Sequence, residues 1–367
     1  MAGLIISFIF YNFIVMLIYG HFKRGEYNIS NNQLIFFTLL FIAFGTYGNH
    51  LGDYWRINEV IETYGVLSSD VIGVSMEKHY YLLAKLVNGN YVLWRLVINC
   101  VAFIGFAFFL RKSKMANYPT LLLFATMCLF WVAGHRGWWG YIYYYFGVYL
   151  FFRDKKYIYL ILAAVSYFSH SSNILLIALL PIAFFKFNRF YTIVIIVVLI
   201  LGLDKLQEYF DFMVGGGVEN EYYSHKLNTY SSQTANNYFG SSIGEYLQNF
   251  FTLVPKYLFM FYMLKSLLFN KKYMKCIRAE HNAIINISIN LFLVSIAAFF
   301  MNLGSGTIAY RLFTMSTFPI FILSDFILNG RYQKYKLKMT YWFLISIELV
   351  YIFSIYYASI HGVNPTK

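Results

Sequence analysis

Three apolar runs between Trp131 and Phe185 are punctuated by three polar clusters: His135-Arg136, Arg153-Asp154-Lys155-Lys156 and His170-Ser171-Ser172. One uninterrupted run of about 18 apolar residues signals a single membrane helix. Here the polar clusters fall where successive helices meet water, so the stretch reads as consecutive crossings. The middle cluster is a Lys/Arg knot, the mark of a cytoplasmic turn. The outer two hold an arginine and titratable histidines. They are expected to meet at the opposite side and help form an active site.

The rest of the chain agrees. Hydrophobic residues make up 59% of the sequence and charged residues 12%, against about 25% charged in soluble domains. The chain therefore reads as an all-α, polytopic membrane protein. Five prolines and the lack of a long polar tail point to one integral domain, residues 1–367. Ala2 to Tyr19 is long enough to span and has no preceding basic region or small-residue cleavage site, so it reads as a retained helix. The net charge of +13 reads as orientation signals in short loops rather than as a nucleic-acid surface. Cys100 and Cys128 lie in apolar runs and Cys276 in a basic loop, which implies no disulfide framework or metal set.

Apolar length predicts about twelve spans, near 2–20, 34–47, 91–110, 119–134, 138–152, 157–169, 172–185, 190–203, 249–269, 283–303, 307–328 and 339–360. Several are short for a straight crossing, and the sixth and seventh are candidates either for broken helices or for segments that stop before the far side. The loops at Lys23-Arg24, Arg111-Lys112-Lys114, Arg153-Lys155-Lys156, Lys186-Arg189, Lys271-Lys272-Lys275-Arg278 and Arg331-Lys334-Lys336-Lys338 carry 18 of the 29 lysines and arginines. With these spans all six fall on one side, the cytoplasmic one by the positive-inside rule, and both termini fall outside. Two long external loops remain, 48–90 and 204–248, and they hold 11 of the 16 acids. The first ends in a segment with near-helical apolar spacing (Tyr80, Leu83, Leu86, Val87), read as an amphipathic or re-entrant helix. The second contains Gly215-Gly216-Gly217 and much Tyr, Asn and Ser, which suits a mobile polar lid.

Arg136 lies at the outer end of the fifth span. A guanidinium keeps its charge and binds phosphate oxygens as a fork. A lone arginine there is more often a snorkelling anchor. Arg311 repeats the pattern after Gly304-Ser305-Gly306, and Arg95 sits one turn into the third span from the same side. Together they favour an anion site. His170 either caps a tight turn or exchanges a proton with substrate. Asp53 and Glu77 are external carboxylates that either accept a proton from a sugar hydroxyl or are simply solvated. Tyr54 and Trp55 either stack on a sugar face or anchor the interface, and Arg56 can pair with either acid. Lys256 and Glu348 fall at membrane depth, where charge is expensive and is usually functional or paired. The sequence has no Asp-x-Asp pair, no His-Glu-x-x-His and no Walker-type loop, so neither a cofactor nor a metal is indicated.

The constellation resembles the EpsG/Wzy-type polysaccharide polymerase family over most of residues 45–190, with a weaker echo near Arg311. The resemblance rests on Gly52-Asp53-Tyr54 after the second span and on Glu77 at the head of MEKHYYLLAKL. It rests equally on Arg136 opening a helix that runs into the Arg153–Lys156 turn, and on His170-x-Ser172 before an aliphatic run. Gly137 is a departure: in the resemblance, many relatives carry a polar residue after the arginine. The resemblance implies a bacterial inner-membrane glycosyltransferase with a GT-C-like helical bundle. It would join oligosaccharide repeat units carried on undecaprenyl diphosphate at the periplasmic or external face, into O-antigen, capsule or exopolysaccharide. In that setting Arg136, Arg311 and Arg95 are expected to hold the diphosphate without a metal. Asp53, Glu77 or His170 would orient or deprotonate the acceptor hydroxyl, and Tyr54, Trp55 and Arg56 would contact sugars. The implied partners are lipid-linked donor and acceptor, membrane lipids, a chain-length regulator and a flippase, with no nucleic acid. The alternatives are a flippase for the same lipid-linked sugar, an O-antigen ligase, a sugar O-acyltransferase, or a structural subunit of an export complex.

Overall fold

The computed structural model describes residues 2–49, 54–66, 78–134, 137–170, 173–185, 278–300, 306–323 and 334–360. It also describes the isolated positions 190, 192–194, 197, 201, 256, 258 and 260–261. At 54–56, 64–66, 78, 297–300, 306–311, 334–340 and 358 the description covers the backbone alone. Asp53, Glu77, Arg136 and the 204–248 loop lie outside these residues, as do most of the expected spans at 190–203 and 249–269.

The described chain is helical, apart from one isolated bridge between Asn28 and Asn117. In order the elements are α1 (Ala2–Lys23), α2 (Asn31–Ala43) with a π-helical end (Phe44–Gly48), α3 (Tyr54–Val66), α4 (Lys78–Leu86) and α5 (Tyr91–Ser113). There follow α6 (Tyr118–Phe124), a second π segment (Ala125–Leu129), α7 (Phe130–Gly134), α8 (Trp139–Asp154) and α9 (Ile158–Val165). After a 3-10 turn (Ser166–Phe168) come α10 (Ile174–Ala178), a 3-10 stretch (Leu180–Phe184), α11 (Ala279–Phe300), α12 (Gly306–Thr317), a 3-10 stretch (Phe318–Leu323) and α13 (Lys334–Ile360). Among the described residues three helices are long and apolar enough to cross a membrane: Ala2–Lys23, Tyr91–Ser113 and Ala279–Ile296. Shorter apolar stretches cover Tyr118–Gly134, Ile158–Phe168, Leu312–Leu323 and Tyr341–Tyr357. At the expected sixth and seventh spans the chain changes from α to 3-10 geometry, at Ser166–Phe168 and at Leu180–Phe184. The helix Ile158–Val165 with its 3-10 turn rises roughly 18 Å, well short of the ~30 Å hydrocarbon core.

The chain divides into two compact units, Met1–Leu180 with Ile320–Lys367, and Pro181–Pro319. In the first unit the stretch from Tyr118 to Phe130 and nearly all of α8 are buried, so these are the core helices. They meet in a ring cluster: Phe106 stacks on Phe124 at 3.8 Å and Phe109 on Phe146 at 5.4 Å, with Phe321 edge-on to Phe106 and Phe124. The outer helices are apolar on both faces. α1 buries Tyr11, Ile14, Val15 and Ile18 yet presents Ile5, Ile6, Ile9, Phe13 and Met16 outward. α5 does the same with Val97, Val101, Ile104 and Phe108. In water such stripes promote aggregation; against lipid tails they carry no such cost.

The basic turns of this unit lie at one end. The 24–30 turn pairs with the 114–117 turn through Ile29 N–H to Ala116 O at 3.0 Å and Tyr118 N–H to Tyr27 O at 2.9 Å. The first described side chains of α13 dock beside them, with the Tyr341 hydroxyl donating to Pro119 O at 2.8 Å and Trp342 against Tyr19 and Phe22. α8 runs parallel to α5: the Tyr143 hydroxyl donates to Val101 O, and Phe146 stacks on Phe109. The Arg153–Lys156 turn therefore emerges at the same end as Arg111–Lys114. In the second unit, the side-chain amides of Asn282 and Asn286 both donate to Phe185 O, which joins the margins of its two basic loops. Glu26, outside the apolar helices, is held below the ordinary carboxylate range, first by its hydrogen bond with His21 and then by the neighbouring His21 and Arg24 charges.

α9 returns along α8 at backbone contact. A Cβ on Gly147 would lie 2.6 Å from Tyr159 O and 2.8 Å from Ala163 N. Gly147→Ala should therefore destabilise the protein by about 1–3 kcal/mol. Gly20→Ala, with nothing within 4 Å, should leave it unchanged or stabilise it by up to ~1 kcal/mol; thermal unfolding in detergent reads both. In a background lacking the native cysteines, Asn28→Cys and His170→Cys should be labelled from opposite faces of the membrane by an impermeant maleimide. Labelling of both from one face contradicts the arrangement of ends.

Candidate functional site

The end of the first unit opposite its basic turns is built around the described parts of the 48–90 loop. α3 turns Ile57 and Ile61, one helical turn apart, onto Tyr80, Ala84, Tyr91 and Trp94, with Leu83 and Val87 packed at the margin. The expected apolar face of α4 holds at Tyr80, Leu83 and Val87 and fails at Leu86, which is 72% exposed. Ala84 takes its place, because 80, 83, 84 and 87 follow the 3.6-residue period and 86 points away. The loop then reverses through Asn88 and Gly89, both with positive φ. Asn90 starts α5 by accepting from Leu93 N–H at 3.1 Å. The described parts of the loop, 54–66 and 78–86, are thus helical and packed onto the start of α5.

Tyr80 is the meeting point of this end. Its hydroxyl donates to Ser169 O at 2.8 Å and accepts from the Trp139 indole N–H at 3.0 Å. Its backbone carbonyl accepts from the Trp94 indole N–H at 3.3 Å. Its ring lies 5.6 Å from Trp94, and its neighbour His79 faces Phe168 at 6.1 Å. The side chain is 1% exposed. Tyr80 thereby ties α4, α5, the start of α8 and the turn after α9 together.

A second contact joins α8 to that turn. Ser169 donates from Oγ toward Ser166 O (2.8 Å) and Gly137 O (3.0 Å). Asn173 donates from Nδ2 toward Ser169 Oγ (2.7 Å) and Ser166 O (3.0 Å). Gly140 makes room for both: a Cβ there would lie 1.9 Å from Ser169 Oγ. Asn173 is buried, and its Oδ1 has no hydrogen-bond partner among the described residues. Gly137 packs on His170, whose Cβ would be 3.1 Å from any Cβ at that position. Glycine at 137 therefore fits sterically: a Cβ there would require His170 to give way by a few tenths of an ångström.

Among the expected site residues, His170 is half-buried on Gly137, the residue after Arg136. Arg95 is 4% exposed, with its guanidinium 5.6 Å over the Tyr91 ring. Because a guanidinium keeps its proton, this end carries a buried positive charge. Tyr54, Trp55 and Arg56 form the first turn of α3, and Arg311 lies in α12 of the second unit; their side chains are outside the described residues. Asp53, Glu77 and Arg136 directly precede Tyr54, Lys78 and Gly137 only by one, one and one residue of sequence, and lie outside the description themselves. Glu348 is fully buried in α13, and Lys256 belongs to the second unit. Among the described residues no group of three His, Cys, Asp or Glu side chains is arranged to hold a metal.

Sequence reasoning missed Tyr80 as more than an apolar-face residue, and it missed Trp139, Ser169 and Asn173. It noticed Ser171 and Ser172 instead of the flanking pair. The available signal was the Gly140/Gly147 spacing, which marks one face of α8 as a helix contact.

No curated protein and no solved structure matches the chain. The family model of the EpsG family matches residues 32–366. That match takes in α2 to α13, the Tyr80 network and the segments that carry every expected site residue, and the chain therefore belongs to the EpsG family.

Proposed function

We propose that this protein polymerises polysaccharide by joining undecaprenyl-diphosphate-linked oligosaccharide repeat units at the outer face of the bacterial cytoplasmic membrane. Family membership supports a role in polysaccharide polymerisation. The carrying observation is the sorting of the first unit's ends. Its basic turns emerge together, and the segments flanking Glu77, Arg95, Arg136 and His170 are hydrogen-bonded together at the other end. The reading keeps about twelve spans in a GT-C-like bundle.

In this reading the lipid diphosphate of the growing chain lies at the membrane–water boundary. Arg136 and Arg95 bind its oxygens, and Arg311, assigned from sequence, has the same anion role. A hydroxyl of the incoming lipid-linked unit attacks the anomeric carbon. The new glycosidic C–O bond forms as the bond from that carbon to the phosphate oxygen breaks. Asp53, Glu77 or His170 takes the hydroxyl proton. Arginine charge stabilises the departing undecaprenyl diphosphate, which makes a metal unnecessary. Tyr54, Trp55 and Arg56 contact the sugars, and the 204–248 loop covers them. A flippase supplies the substrate from the inner leaflet, and a chain-length regulator is the expected protein partner.

Arg136→Ala and Arg311→Ala should each leave single repeat units on the lipid carrier in place of long chains, at unchanged protein level. Long chains of normal distribution from both variants would remove the proposal. In a deletion strain the single units should collect on the outer leaflet; collection on the inner leaflet points to a flippase. Chelation with EDTA should leave chain elongation by the purified protein unchanged.

A further inference from the structure

Every hydrogen-bonding partner of Tyr80 described above lies beside a residue that the proposed reaction uses. Trp94 precedes Arg95, Trp139 follows Arg136 by three residues, Ser169 precedes His170, and Tyr80 itself follows Glu77 by three. We propose that Tyr80 is the positioning residue of this site: its hydroxyl, held between Trp139 Nε1 and Ser169 O, sets the spacing among the segments that carry Glu77, Arg136 and His170. This inference rests on the polymerase reading.

A buried phenol hydroxyl offers one donor and can accept as well, and here both capacities are used, at 2.8 and 3.0 Å. Three separate stretches of chain therefore converge on one oxygen atom. The Ser169 carbonyl follows a 3-10 turn, where the regular ladder of α9 has ended, and among the described residues the Tyr80 hydroxyl donates to it. The ring is fixed independently, against Trp94 and His79 and inside the Ile57, Ile61 and Ala84 cluster. Phenylalanine keeps that packing and removes the oxygen. It leaves an indole N–H and a carbonyl to find other partners, and the turn bearing His170 loses its tie to α4 and one of its two ties to the start of α8. A misplacement of ~1 Å in a site of this kind can cost about 100-fold in rate.

The test uses the full-length protein in detergent with the lipid-linked repeat unit extracted from a strain lacking this chain. For Tyr80→Phe, kcat per folded molecule should fall about tenfold with KM unchanged, as expected for a group that aligns reacting segments without adding to ground-state binding. Amide hydrogen exchange over residues 137–141 and 166–173 should quicken, with the basic turns unaffected. Trp139→Phe, which keeps the bond to Ser169, should show the same pattern at smaller size, and it carries the test if Tyr80→Phe does not accumulate as folded protein. Unchanged kcat per folded molecule overturns the proposal, since the tyrosine is then only packing. A fall in kcat without faster exchange also overturns it, since the hydroxyl then acts directly. If the wild-type protein itself forms no chains, the polymerase reading fails and takes the positioning role with it, while the exchange data still judge the hydrogen-bond geometry.

Discussion

Along α8, Gly140 and Gly147 let α9 approach until backbone meets backbone, and the arrangement of the candidate site depends on that approach. Helices with larger residues at the contact stay 8–10 Å apart. Here Ser166, Ser169 and Asn173 reach the glycine face and bond to one another and to Gly137 O. The hairpin is closed at one end by the Arg153–Lys156 turn and at the other by the contact of Gly137 with His170. Since lipid tails are as apolar as the side chains, close packing and internal hydrogen bonds carry this association.

The same constraint governs the irregular backbone. Inside a membrane every freed carbonyl needs an internal partner. The π segment at Ala125–Leu129 is served by the Tyr11 hydroxyl, 3.1 Å from Ala125 O, and Asn49 Nδ2 donates to Phe130 O just beyond it at 2.9 Å. The other π segment, Phe44–Gly48, packs Gly45 against Asn99. Such bulges often mark functional regions, and both occur on helices that lead toward the end opposite the basic turns. Two asparagines of α11 serve the carbonyl of Phe185, where a broken helix stops.

Much of this was legible beforehand because it follows from composition and charge. Apolar length located α1, α5 and α13, and the Lys/Arg turns predicted which helix ends belong together. The helical face of α4 in the 48–90 loop was legible at Tyr80, Leu83 and Val87, and was misjudged at Leu86 because a four-residue apolar sample does not discriminate 84 from 86. The polar cluster at His170 was recognised, but its hydrogen bonds run through Ser169 and Asn173. A serine says nothing in sequence about whether its hydroxyl meets water or a carbonyl 32 positions away.

What the sequence by itself determined is the solvent each segment must face: long apolar runs require lipid and internally paired backbone, and clustered lysines require one aqueous side. Those are properties of individual residues and their near neighbours. Only the tertiary structure decided which segments share a hydrogen bond, above all the convergence of α4, α8 and the Ser169 turn on the Tyr80 hydroxyl. That choice depends on whether two glycines face one helix and whether one phenol reaches a carbonyl 89 positions away. Both are matters of ångström-scale packing that no local pattern encodes.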